Sequence, residues 1–81
     1  LLMVAEGLDV FKVPVPVELI GKTLAEADLR QRTNCSVIGI DSQDKTTTNP
    51  GPDYRLPKEG EIVLIGTPES EAKFLKRYPG H

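Results

Sequence analysis

The sequence predicts an α+β domain, a small β-α-β-β-β-α unit with a mostly antiparallel sheet. Three observations predict it. Short runs rich in β-branched residues recur between polar or Pro/Gly-rich breaks. Two helix starts are written in capping chemistry, Thr23 with Glu26 and Thr67 with Pro68. The whole chain is 81 residues, room for one domain only.

Residues 1–6 show no decisive period and Gly7 breaks them, so a linker is expected over 1–7. Residues 8–15, Leu-Asp-Val-Phe-Lys-Val-Pro-Val, alternate imperfectly and predict the first strand. Pro14 and Pro16 have no N–H to give a ladder, which places them at an edge or at the strand's end. Thr23 and Glu26 then form a reciprocal capping box, each side chain meeting an otherwise unpaired backbone N–H. Leu24 and Ala27 share a face of the helix that follows. Leu29 and Arg30 fit a continuation or a tighter last turn, and Asn34 tolerates the positive φ that ends it. This helix is expected to be short.

Residues 35–40 predict the next strand, 41–45 a polar hairpin turn, and Thr46 to Thr48 a short return strand. Asn49-Pro50-Gly51-Pro52 is a loop, and Tyr54-Arg55-Leu56 extends before a turn at 57–60. Residues 61–66 carry a strongly apolar run and predict the central strand. Thr67 caps the last helix, Pro68 takes its first position, and Glu69 and Glu71 sit at the positive end of its dipole. Ala72, Leu75 and Tyr78 recur at helical spacing. Lys73, Lys76 and Arg77 load the negative end, and residues 79–81 form a tail after the stop at Pro79-Gly80.

Composition narrows the function. Ten basic and twelve acidic residues give a net charge of −2, and no basic run exceeds Lys76-Arg77. The electrostatic footprint of a nucleic-acid binder is missing. The apolar stretches 1–5 and 62–65 are far too short to enter a bilayer as a span. One cysteine points to a reducing, cytoplasmic setting. The opening Leu1-Leu2-Met3 has no start methionine and no charged region before an apolar one, so the expectation is a domain of a longer protein without a signal peptide. Aromatic residues are only 5% and Trp is absent, so the core is aliphatic. A domain of this size buries only about 60% of its unfolded surface, and pairing with a second copy is the expected support.

The chemistry-bearing residues do not assemble a catalyst. His81, the only histidine, is the last residue and is expected to fray. Cys35 has no second histidine to act as its base and reads as a small buried hydrophobe. Asp41, Asp44, Asp53 and Glu59 lack calcium-loop spacing and read as solvated turn carboxylates, the alternative being a weak calcium site completed by a partner chain. No G-x-G-x-x-G and no Walker loop is present, so no cofactor is expected in this segment. Arg30 and Arg32 close the first helix just before Cys35. They either grip an anionic ligand bidentately or only offset the helix C-terminus.

The ordered segments carry a resemblance. Residues 13–33, Val-Pro-Val-Pro-Val-Glu-Leu-Ile-Gly-Lys-Thr-Leu-Ala-Glu-Ala-Asp-Leu-Arg-Gln-Arg-Thr, are similar to the opening of the TrkA C-terminal (RCK C-terminal) domain. Gly21-Lys22-Thr23-Leu24-Ala25-Glu26 resembles that family's helix start. Leu29-Arg30, Thr33 and Asn34 resemble its helix end, and residues 37–40 its aliphatic strand. Residues 56–69 resemble its last strand and helix start. The likeness covers residues 8–78.

This resemblance implies a TrkA-C-like regulatory domain that follows a Rossmann-like nucleotide-binding domain and serves a potassium-conducting membrane protein. It implies a cytoplasmic place at the inner face of the membrane, a homodimer, and a regulatory ligand near the dimer interface. In one branch that ligand is cyclic di-AMP, elsewhere it is a divalent ion or unidentified, and another nucleotide is a further option. The matching ligand-binding positions are Leu24, Arg30, Ser36 and Val37, with Pro50 or Pro52 as the loop proline. Ser36 stands where that branch carries asparagine, and a hydroxyl has shorter reach and no amide donors. Two other readings compete: a structural homodimerisation module without a ligand, and an ACT-like sensor, whose βαββαβ order needs a strand after the last helix.

Overall fold

The computed structural model describes the backbone of residues 2–5 and the whole of residues 7–79. Five strands, β1 (Leu2–Ala5), β2 (Leu8–Pro14), β3 (Ser36–Ser42), β4 (Lys45–Thr48) and β5 (Glu61–Gly66), form one antiparallel sheet in the order β1-β2-β5-β3-β4. Helices α1 (Leu24–Ala27), α2 (Leu29–Thr33) and α3 (Pro68–Arg77) complete the α+β fold. A 3-10 turn at Val17–Leu19 joins β2 to α1. The apolar segment β5 lies at the centre of the sheet, as predicted.

Alternation along the strands fixes the two faces. Phe11 and Val13 of β2, Ile40 of β3, and Ile62 and Leu64 of β5 are buried and meet the helices. Phe74 of α3 seats on them, its ring edge-on to Phe11 at 5.8 Å and tilted against Tyr78 at 5.1 Å. Aliphatic strands with a small aromatic plug make up the core. Pro14 is the last residue of β2, beyond the part of that strand that β1 covers, so its missing N–H leaves no bond unmade.

Four segments differ from the sequence expectation. Leu2–Ala5, expected in a linker, is a strand that pairs with β2, and Gly7 at φ 81° closes the tight turn between them. The first helix is broken into α1 and α2 by Asp28 in the left-handed region at φ 51°. β3 extends to Ser42, so the turn shrinks to Gln43-Asp44, with Gln43 also at positive φ. On α3 the buried stripe is Ser70, Phe74 and Tyr78, whereas Ala72 and Leu75 are exposed. Ser70 can occupy that stripe because its hydroxyl is paired with Thr67 and Asn34. His81 lies outside the described residues.

Candidate functional site

The site is built from the capping box upward. Thr23 Oγ1 accepts from the Glu26 N–H at 3.1 Å, and Glu26 Oε1 accepts from the Thr23 N–H at 2.8 Å. Those bonds also hold the Glu26 carboxyl below the usual carboxylate range. The remaining N–H groups of the first turn go to the loop. Leu24 donates to the Tyr54 carbonyl at 3.0 Å and Ala25 to the Pro52 carbonyl at 2.9 Å. Four residues of helix would not hold their place alone; these loop bonds fix where Leu24 sits.

Asp28 then turns the chain, and α2 begins on a new axis with its own bond from the Arg32 N–H to the Asp28 carbonyl at 3.1 Å. Asn34 ends α2 at φ 61°, its N–H bonded to the Arg30 carbonyl at 3.0 Å. The expected positive φ at this residue is present. Asn34 Nδ2 donates to Ser70 Oγ at 3.4 Å, tying the end of α2 to α3. Cys35 follows, 1% exposed, its thiol donating to the Ser70 carbonyl at 3.4 Å. Burial pushes that thiol's pKa up, which keeps it protonated and inert.

The consequence is a cleft of about 340 Å³ between α1, α2 and the start of β3. Leu24, Arg30, Ser36 and Val37 all line it. Leu24 and Val37 are half-buried against the core and make apolar walls, while Arg30 and Ser36 are exposed at its mouth. Pro50 and Pro52 are not among the lining residues. Pro52 acts through the carbonyl that receives the Ala25 N–H. Asn49 is a lining residue the sequence did not single out. It sits at φ 49°, its N–H bonded to the Ile38 carbonyl at 3.0 Å. The signal was an asparagine before Pro-Gly, but only the β3–β4 pairing carries it back to Ser36. Among the described residues no group of three or more potential ligands could hold a metal ion, and no helix is long and apolar enough to cross a membrane.

The strands and helices together define a small α+β domain with one antiparallel sheet. The TrkA-C domain profile matches residues 10–78, and the chain belongs to that family. It is 36% identical over 61 residues to potassium channel protein 1 of Methanocaldococcus jannaschii, across 75% of this chain and 18% of that protein. The GsuK RCK domain superposes with a TM-score of 0.85 at 36% identity, over 94% of this chain and 17% of that one. The chain thus spans less than a fifth of either relative. The RCK C-domain of KtrA in complex with cyclic di-AMP aligns with a TM-score of 0.81 at 18% identity, over 90% of this chain and 86% of that one. The RCK C-domain dimer of S. agalactiae BusR, also with cyclic di-AMP, aligns at 0.78 and 20% identity over 90% and 93%.

Proposed function

We propose that this chain is the regulatory, effector-binding and dimerising domain of a potassium channel or potassium uptake system, and not a catalyst. The observation that carries the proposal is the meeting of Leu24, Arg30, Ser36 and Val37 on one cleft from three separate elements. Aliphatic walls suit a purine face and a guanidinium at the mouth suits a phosphate. A cyclic dinucleotide is an effector class that presents both. At about 340 Å³ the cleft is near the small end of ligand sites, roughly 300–1,000 Å³. That is room for one nucleotide half of the effector, so a second copy supplies the other half by two-fold symmetry. Asn49 supplies the carboxamide that Ser36 lacks.

The helix-free face of the sheet supports pairing as well. Leu8 and Ile38 are exposed there, and Val10, Val63 and Ile65 are half-buried. Binding across the pair favours one dimer geometry, and a Rossmann-like domain upstream passes it to the pore at the cytoplasmic face of the membrane. The relatives, a potassium channel and RCK C-domains in complex with cyclic di-AMP, support this assignment.

A thermal-shift panel of cyclic di-AMP, ATP, ADP, NAD, calcium and magnesium tests it. A ligand at a hundred times its Kd stabilises by about 2.7 kcal/mol, and each kcal/mol moves a domain of this size by roughly 4–8 °C. Cyclic di-AMP is expected to raise Tm on that scale. No shift with any compound would leave a purely structural dimerisation module.

A further inference from the structure

A second cleft, of about 280 Å³, lies on the other side of the α1–α2 pair and shares no lining residue with the first. Its floor is apolar and buried: Leu19 at the end of the 3-10 turn, Ala27 of α1 and Tyr78 after α3. Its rim carries three cations, Lys22, Arg32 and Arg77. They come from three elements whose ends the fold gathers. The Gly21 N–H bonds to the Leu56 carbonyl at 2.9 Å and sets Lys22 beside α1. The break at Asp28 turns Arg32 to this side, and the contact between α2 and α3 brings Arg77 opposite.

The two carboxylates of the rim, Glu18 and Glu26, offset two of these three charges, and Lys22 is among the cations that act on Glu26. Glu26 is engaged with the Thr23 N–H and stands 3.9 Å from Arg55. Glu18 makes no ion pair among the described residues, and neither do Lys22, Arg32 or Arg77. Arg77 Nε donates to the Tyr78 hydroxyl at 3.4 Å, which steadies the guanidinium and leaves its terminal N–H groups free of that bond. Three cations against two carboxylates leave a surplus of one positive charge around a buried floor of Leu19, Ala27 and Tyr78. Guanidinium pairs of this kind match the oxygens of a phosphoryl group.

We infer that this second cleft is a separate binding site for a small phosphoryl anion, held by Lys22, Arg32 and Arg77. It does not rest on the effector cleft, and either site can fail without the other. Pyrophosphate is the probe, titrated into the isotope-labelled chain and followed by amide chemical shifts at constant ionic strength. The site predicts saturable shifts confined to residues 18–22, 26–27, 32 and 77–78. Arg32→Gln with Arg77→Gln is expected to raise the Kd at least tenfold with the remaining spectrum unchanged, and Arg30→Gln, in the first cleft, to leave it within twofold. If the double variant does not fold, Arg32→Gln alone is read, with a threefold or greater weakening expected. Displacement of pyrophosphate by AMP at the same amides supports the site with a nucleotide as the source. Binding of pyrophosphate without that displacement supports it with the free anion. Shifts that never saturate, that follow every basic residue, or that survive Arg32→Gln overturn it.

Discussion

Arg30 and Arg32 stand two positions apart on α2 and open onto different clefts, Arg30 beside Ser36 and Val37, Arg32 beside Lys22 and Tyr78. Residues two apart on a helix do not face each other. The break at Asp28 sets the axis that lets each arginine reach its own side. One short turn of helix therefore serves two surfaces.

That break is a strained residue kept for position. A non-glycine side chain in the left-handed region costs roughly 1–2 kcal/mol, less for aspartate than for most. Asp28→Gly is expected to hold or raise stability, and Asp28→Val to lower it by about 1–2 kcal/mol. Urea unfolding of both variants checks the order. A continuous α1–α2 helix would instead make Asp28→Val nearly neutral.

Thr23 anchors the first cleft. Thr23→Ala removes the acceptor of the Glu26 N–H and is expected to cost ~1 kcal/mol of stability. It should also loosen Leu24, so effector affinity falls along with the denaturation midpoint. Thr23→Ser keeps the acceptor and is expected to restore both.

Phe74 is fully buried between Phe11 and Tyr78. Phe74→Ala is expected to cost about 3–5 kcal/mol, a large share of the roughly 5–15 kcal/mol that holds a typical domain together. Loss of cooperative melting near room temperature is the anticipated readout. Leu75→Ala, on the exposed side of the same helix, should change little.

Acid has two opposed effects. Asp41 receives Lys12 Nζ at 2.7 Å and the Thr46 hydroxyl at 2.6 Å, and these bonds hold its carboxyl below the usual range. A pKa lowered on folding gives stability that is present above the ordinary aspartate value and is lost as pH falls through the lowered one. Glu71 goes the other way: burial first, then the neighbouring Asp9 carboxylate, raises its pKa. Its ionised form therefore opposes folding, and protonation relieves that as pH falls through the raised value. Tm followed from neutral to acid pH should show Asp41→Asn with a flatter acid loss. Glu71→Gln should gain stability near neutral pH and lose that gain in acid.

What the sequence made legible were the features carried by local chemistry. Thr23 with Glu26 and Thr67 with Pro68 start helices where their capping side chains say they must. Asn34 ends α2 as its tolerance for positive φ implies. The features that were missed depend on partners distant in the chain. Ser70 sits in the buried stripe of α3 only because Asn34 and Thr67 satisfy its hydroxyl, and hydropathy alone favours Leu75 there. Leu2–Ala5 becomes a strand through a glycine turn that lacks the usual Asn-Gly or Asp-Gly pair. Of the candidate site, Leu24, Arg30, Ser36 and Val37 share the cleft, whereas Pro52 enters through its backbone and Asn49 only through sheet pairing.

The most direct test is calorimetric titration of cyclic di-AMP into the chain and into Arg30→Ala. The account predicts one ligand per two chains for the parent, and at least a hundredfold loss of affinity in the variant with its melting curve unchanged. Equal affinities for the two, or one ligand for every chain, would contradict it.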